Sequence, residues 1–163
     1  MYIDLDSLAV QIEEKIDDRL TNESNTRSYI FPDGDFNKSG KPFSRNTLVV
    51  SLANQIWTAP TNPAALSRGM SLAQETNIDL SFYLFAASLR GPKGIGNQYR
   101  IIIEELAALE LKQGERKLGP LYPTSFSYRD LSENCIWSYE LLMSTNFLDG
   151  GKRPAYNMPI VHG

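Results

Sequence analysis

The sequence has few of the residues on which enzymes and metal sites depend. It contains one histidine, His162, and one cysteine, Cys135, among 163 residues. Zinc sites need several His or Cys ligands, and nucleophilic triads need a well-placed histidine, whereas His162 lies one residue from the end. We therefore expect no catalytic residue, no metal site and no cofactor. Cys135 cannot form an intramolecular disulfide, and we expect it to be a small buried hydrophobe in a strand.

An excess of basic charge and a long apolar run are also missing. The formal net charge is −3, which gives no electrostatic footprint for nucleic acid. No apolar run approaches the roughly 20 residues that span a bilayer, and the N-terminus lacks the pattern of a signal peptide. We expect synthesis in the cytoplasm. The apolar share of 42% and the charged share of 21% indicate a soluble globular domain. We place that domain at residues 1–148, followed by a tail at 149–163 that docks on its own or a neighbouring subunit.

Hydrophobic periodicity predicts the element order α-β-β-α-β-β. A first helix begins near possible caps at Asp4, Asp6 and Ser7. Its apolar stripe comprises Leu5, Leu8, Ile12, Ile16 and Leu20. A second helix is predicted over residues 97–113, with Gly114 as its C-cap. Its apolar stripe comprises Tyr99, Ile102, Ile103, Leu106 and Leu109.

The longest strand pattern lies within residues 70–89. Its first face should pack on the helices and comprises Ile78, Leu80, Phe82, Leu84 and Ala86. The opposite face becomes apolar only toward Tyr83 and Phe85, so we expect a neighbouring subunit to cover that end. Further strands are predicted at 47–52, 121–128 and 134–148, and the last two should form an antiparallel hairpin, while residues 29–31 are a candidate short strand outside that order.

Three further segments carry candidate interface residues. The long loop at 33–45 is made locally basic by Lys38, Lys41 and Arg45, and loops of this length are usually functional or disordered. Trp57 is either a satellite core residue or an anchor for a partner, since interface hot spots favour tryptophan. A C-terminal tail that contacted nothing would expose its apolar residues to water, so we expect the tail to dock. The candidate interface residues there are Tyr156, Met158 and Ile160.

A glycine-rich turn connects the long strand to the second helix. Gly91, Gly94 and Gly96 could cradle a phosphate, but the spacing matches neither a Walker nor a Rossmann motif. We favour a tight strand-to-helix connection capped by Asn97. The neighbouring carboxylates Glu104 and Glu105 point in different directions on a helix, which favours charged surface over an acid/base pair.

Three stretches resemble the tail-terminator (tail-completion) proteins of long-tailed bacteriophages. The first is Thr47-Leu-Val-Val-Ser. The second is Ile78-Asp-Leu-Ser-Phe-Tyr-Leu-Phe-Ala-Ala-Ser-Leu-Arg-Gly, which leads through Gly94 into Tyr99-Arg-Ile-Ile-Ile-Glu-Glu-Leu. The third is Trp137-Ser-Tyr-Glu-Leu-Leu-Met-Ser-Thr. Members of that family show the same progression of strand, Arg-Gly, short glycine turn and helix, with a final strand built around an aromatic-x-Tyr core. The similarity covers residues 5–148.

The resemblance implies an α+β fold in which a small antiparallel sheet packs against helices. It implies a virion protein, assembled in the host cytoplasm, that forms a hexameric ring on the head-proximal end of a tail. Such a ring ends the addition of tube and sheath subunits and presents a surface to head–tail connector or neck proteins. Genome DNA would pass through its lumen without sequence-specific binding, and no membrane is involved.

The residue patterns alone are also compatible with three other functions. The chain could be another neck, connector or tube-associated protein. It could be a small enzyme that binds a phosphorylated ligand at residues 91–97, or a nucleic-acid-binding module that uses the basic loop at 33–45.

Overall fold

The computed structural model describes residues 4–33, 46–58, 74–114 and 116–149. In these residues the chain forms two helices and seven strands. The helices are α1 (Leu5–Ser24) and α2 (Ile95–Leu106). The strands are β1 (Arg27–Ile30), β2 (Thr47–Trp57), β3 (Gln74–Ala86), β4 (Glu110–Gln113), β5 (Arg116–Pro120), β6 (Tyr122–Leu131) and β7 (Trp137–Asp149).

The first helix begins and ends where local chemistry sets its boundaries. The carboxylate of Asp4 accepts a hydrogen bond from the backbone N–H of Ser7 at 3.2 Å, which caps the helix. Asn25 ends it in the left-handed conformation, with φ 50°. The buried apolar residues are Leu8, Ile12, Ile16 and Leu20. Leu5, expected in the same stripe, is instead 37% exposed because it lies in the first turn, at the rim of the core.

Five strands form one mixed sheet in the order β1-β2-β3-β7-β6. All neighbouring pairs are antiparallel except β1 and β2, which run parallel. The expected α+β fold, with a sheet packed on two helices, is confirmed, while the parallel first pair makes the sheet mixed. Residues 31–46 provide the long connection that a parallel pair requires. Strands β4 and β5 form a separate two-stranded hairpin.

The core lies between the two helices and one face of this sheet. The expected alternation along β3 is confirmed, because the five first-face residues are between 0% and 1% exposed. Phe82 is central, since it lies opposite Val50 on β2 and Leu141 on β7. Burying a side chain of this kind stabilises the fold by about 1.5–3 kcal/mol. Apolar residues of both helices belong to the same cluster, so both helices pack on this first face.

The second helix is shorter than its sequence pattern predicts. It begins at Ile95 with Gly94 as its N-cap, so the expected cap at Asn97 is wrong. The side-chain amide of Asn97 instead donates to the carbonyl of Pro92 at 2.7 Å. The helix ends at Leu106, and Ala108 adopts a φ of 66° as the chain turns away.

The residues beyond that turn form a hairpin, which corrects the predicted helix end at 113. In β4, Leu111 and Gln113 are buried and alternate with exposed residues, a strand pattern that the helical reading overlooked. Gly114, expected to be a helix C-cap, has a φ of 63° between β4 and β5. Leu109 therefore lies outside α2, although it packs against the core.

The expected antiparallel hairpin near the C-terminus is confirmed by the pairing of β6 with β7. Its connecting turn contains Cys135, and the prediction of a buried cysteine in a strand is wrong. Cys135 is exposed and has a φ of 60°. Its backbone N–H donates to the carbonyl of Ser132 at 2.9 Å, which closes the turn. The turn requires a left-handed residue, and this position happens to be cysteine.

Candidate assembly surface

The second face of the large sheet is the broadest candidate surface in the described residues. We call it the open face, because both described helices pack on the opposite side. Its inner positions are Thr47, Val49, Ser51, Asp79, Ser81, Tyr83, Phe85, Ser138, Glu140, Leu142 and Ser144, as the strand pairing places them. Tyr83 and Phe85, both expected at an interface, lie there and are half-buried. Their position fits the prediction that a further surface covers this end, which stays a prediction.

Polar side chains on the open face are linked across strands. Ser81 donates to the Glu140 carboxylate at 2.8 Å, and the Arg129 guanidinium lies 3.5 Å from the same group. That guanidinium also lies 5.8 Å from the ring centroid of Tyr83, within the range of a cation–π contact. Near the other end of β3, the carboxylate of Asp79 accepts a 2.5 Å hydrogen bond from Ser144. These contacts fix the side chains of the face before any partner binds.

Trp57 lies at the end of β2, away from the core. Beyond a register shift between Leu52 and Asn54, the strand exposes Ile56 at 53% and Trp57 at 45%. Trp57 is therefore absent from the buried cluster, and the satellite-core interpretation is not supported. An exposed tryptophan at the end of a paired strand is available to a partner.

The other predicted interface residues lie outside the described part of the chain. They are Lys38, Lys41, Arg45, Tyr156, Met158 and Ile160. Their proposed roles stay predictions.

A second surface was not anticipated from the sequence. Strand β6 is one edge of the large sheet, and all ten of its residues are exposed. Its large hydrophobic side chains with exposed fractions between 39% and 55% are Tyr122, Phe126, Tyr128 and Leu131. The alternation of serines with aromatics at 125–128 is a sequence signal for such a strand, but its position at the edge depends on the tertiary pairing.

The aromatic residues of this edge continue a row that begins on the second helix. The ring of Phe126 lies 4.3 Å from Tyr99 of α2 and 5.1 Å from Tyr139, measured between centroids. Tyr128 contacts Tyr139 and Trp137 at 5.8 and 6.1 Å, edge to face. We call Tyr99, Phe126, Tyr128, Trp137 and Tyr139 the aromatic row. The row extends beyond α2 to β6, the edge strand of the described sheet, where Tyr128 is 55% exposed.

The glycine-rich turn is not arranged to bind a phosphate. Anion sites at helix N-termini use free backbone N–H groups, but here those groups are occupied. Gly94 donates to Gly91, Ile95 donates to Ser88, and Gly96 donates to Leu89, at 3.0–3.1 Å. A Cβ on Gly94 would lie 2.6 Å from the carbonyl oxygen of Arg90, so the turn is also too tight for a side chain there. The geometry favours a structural connection.

The charged surface between the helices is an ion-pair network. The Arg19 guanidinium lies within 2.5–2.9 Å of carboxylate oxygens of Glu23, Glu104 and Glu105, and Arg100 adds a contact to Glu104 at 3.0 Å. Hydrogen bonds from Arg19 hold the pKa of Glu23 and of Glu104 below the ordinary value of 4.5. Glu104 and Glu105 therefore serve to connect α2 to α1. The described residues contain no cluster of three or more His, Cys, Asp or Glu side chains that could hold a metal ion.

Comparison with known proteins identifies the fold. No protein-family model and no curated protein sequence matches the chain. Among solved structures, a chain from the virion of a native gene transfer agent particle superposes with a TM-score of 0.56. The match covers 91% of this chain and 99% of that chain, at 12% sequence identity. The two chains therefore share one fold over nearly their whole lengths.

Neither described helix has the length and apolarity needed to cross a membrane.

Proposed function

We propose that this protein is a structural component of a virion, and specifically a tail terminator. It would form a ring, most simply a hexamer, on the head-proximal end of a phage tail. The ring ends polymerisation of the tube, and of the sheath where one is present, and provides the surface for joining the head. The observation that carries the proposal is the fold shared with a chain of a virion particle over 99% of that chain's length.

The surfaces of the molecule are consistent with a ring. A closed ring requires two different patches on each subunit, each of which contacts the other on its neighbour. The open face and the edge strand β6 are two such patches, and they differ in chemistry. The open face combines cross-strand carboxylates with the half-buried Tyr83 and Phe85, whereas β6 carries exposed aromatic residues. The exposed Trp57 offers a third contact for tube, sheath or connector subunits.

Capping follows from asymmetry between the two sides of such a ring. One side binds the last tube ring, and the other side lacks a further copy of the polymerising surface. Lys38, Lys41 and Arg45 would contact acidic neighbours or line the lumen through which genome DNA passes. No step requires bond-making chemistry, so we propose a protein without enzymatic activity and without a cofactor.

The test combines the mass of the native assembly with images of the protein bound to tubes. We expect a discrete ring by native mass spectrometry and negative-stain density at one end of purified tail tubes. A connector or tube-associated subunit is the alternative, and self-assembly into filaments would favour it. A protein that stays monomeric at high concentration and never binds tube ends would contradict the proposal.

The basic loop is tested separately by charge reversal. The triple variant with Lys38→Glu, Lys41→Glu and Arg45→Glu should still form rings but lose capping in a tube-length assay. Capping at the wild-type level by this variant would remove these residues from the mechanism. The control is a single charge reversal, Lys117→Glu, at a side chain on β5 that is 66% exposed. This variant should cap tubes normally.

A further inference from the structure

Resting on the proposed function, we propose that the outer edge of β6, which pairs with no other described strand, binds the C-terminal tail, residues 150–163, of the neighbouring copy as an added strand. Exposed sheet edges bind extended segments because unpaired N–H and C=O groups offer backbone hydrogen bonds. A long, exposed edge with hydrophobic side chains is uncommon in a protein that does not use it.

The receiving segment is defined by the pairing of β6. Register shifts lie between Pro123 and Ser125 and between Tyr128 and Asp130. Between them, residues 125–128 form a regular edge. In this segment Phe126 and Tyr128, which belong to the aromatic row, lie opposite Leu141 and Tyr139 of β7. A strand added at this edge would place its own apolar residues against that row.

The sequence of the tail fits this position. Tyr156, Met158 and Ile160 recur with a period of two, so an extended tail would present all three on one side. Pro159 lacks an N–H, and proline is tolerated in an edge strand where its nitrogen faces solvent. If Pro159 faces outward, backbone alternation directs the N–H groups of residues 156, 158 and 160 toward β6.

The tail is long enough to line β6, and the position of β5 favours a neighbouring copy as its source. The fourteen residues 150–163 extend at most about 45 Å, which exceeds the roughly 33 Å of the ten-residue β6. Within one chain, β5 lies against β7 beside Asn146, between Asp149 and the point where β6 begins to pair at Ser144. Gly119 lies against the backbone of Asn146, and its carbonyl accepts a hydrogen bond from Thr145 at 2.5 Å. A tail that leaves its own subunit does not have to pass β5, and it joins successive copies in one direction, as the proposed ring requires.

The experiment uses a full-length variant with Tyr156→Ser, Met158→Ser and Ile160→Ser. It should fold, fail to form the ring, and leave β6 available. A fluorescent synthetic peptide of residues 150–163 should then bind it, as measured by anisotropy. Methylating the backbone nitrogen of Met158 should weaken that peptide about tenfold or more, since it removes a hydrogen bond and adds a clash. The matched peptide methylated at Asn157 should change affinity by less than about threefold.

A pair of β6 variants locates the site. Tyr128→Ser, made in the triple-serine background, should weaken peptide binding about tenfold, because Tyr128 is exposed beside the receiving edge. Tyr122→Ser is the control, since Tyr122 is also exposed but lies outside the regular segment and opposite Ser144 on the other face. Equal effects of the two methylated peptides, or of the two β6 variants, would overturn the proposal.

The two proposals fail in different ways. If the wild-type chain forms rings and the triple-serine variant forms the same rings, the tail–β6 contact is wrong and the tail-terminator function stands. If the wild-type chain is monomeric under all conditions, the proposed function is wrong. A tail bound to β6 of its own subunit would leave the oligomeric state unchanged by the substitutions and would also overturn the contact proposed here.

Discussion

Three glycines in the turn before α2 and in its first turn should respond very differently to alanine, although they lie within six residues. At Gly94 a Cβ would lie 2.6 Å from the carbonyl oxygen of Arg90 and 2.8 Å from the carbonyl carbon and backbone nitrogen of the same residue. All three atoms are backbone, so relief requires the turn itself to move. We expect Gly94→Ala to lower the free energy of unfolding by about 2–4 kcal/mol, in the range of severe overpacking.

The other two glycines serve as internal controls. Gly91 has open space around it but a φ of 87°, so alanine there meets only backbone strain of about 1–2 kcal/mol. At Gly96 a Cβ would lie 3.3 Å from the carbonyl oxygen of Leu89, a tight contact that opposes the roughly 1 kcal/mol helix propensity gained by alanine. We expect a change within about 1 kcal/mol at Gly96. The predicted order of destabilisation is Gly94, then Gly91, then Gly96.

Urea unfolding, followed by circular dichroism at one fixed protein concentration, measures the free energy of unfolding of all three variants. Fixed concentration matters because assembly contributes to apparent stability. Unchanged m-values would show that the variants alter stability and not the surface exposed on unfolding. Equal stabilities of Gly94→Ala and Gly96→Ala would refute the steric argument and the assignment of a tight connection to this turn.

Three further predictions concern the turn between β6 and β7, the helix–helix ion pairs and the exposed tryptophan. Cys135→Gly should stabilise the fold by about 0.5–1 kcal/mol, because cysteine is held at a φ of 60° that glycine adopts freely; an unchanged or lower thermal midpoint would contradict this. Because the pKa values of Glu23 and Glu104 are lowered in the folded state, both carboxylates stabilise the fold above about pH 4.5. This stabilisation is lost as the pH falls through their folded-state pKa values. Arg19→Gln should therefore flatten the dependence of stability on pH below about 4.5, and urea titrations across pH that retain the wild-type slope would count against the network. Trp57→Ala should change stability by less than about 1 kcal/mol, since the side chain is 45% exposed, but should weaken tube binding in a pull-down assay; normal binding would exclude Trp57 as an anchor.

The sequence predicts elements best where a periodic pattern is long and has a single interpretation. The 3.6-residue stripe of α1 and the alternation of β3 are of this kind, and the structure buries all of the expected residues of β3 and all of those of α1 except Leu5. The end of α2 is harder, because Leu109 and Leu111 fit helical and extended spacings equally. Tertiary packing decides between them, since Leu111, Leu118 and Leu121 complete the core beside α1.

The candidate surfaces divide in the same way. Tyr83 and Phe85 lie on the predicted face of β3, because the face of a strand can be deduced from alternation alone, and their role at an interface stays a prediction. The aromatic row was missed, because Tyr99, Phe126 and Tyr139 come from three separate elements and meet only when the sheet order is known. Lys38, Tyr156 and the other loop and tail candidates lie outside the described residues, and their roles rest on the proposals above.

The amino-acid sequence by itself determined the presence of both helices and strands, the stripe of the first helix and the alternation of the central strand, because each depends on residues close in the chain. The single His and single Cys also made metal sites and His-dependent catalysis unexpected. Only the tertiary structure decided the parallel pairing of β1 with β2, the position of β6 at the sheet edge and the exposure of Cys135. These features depend on which distant segments pair, and local periodicity carries no information about that choice.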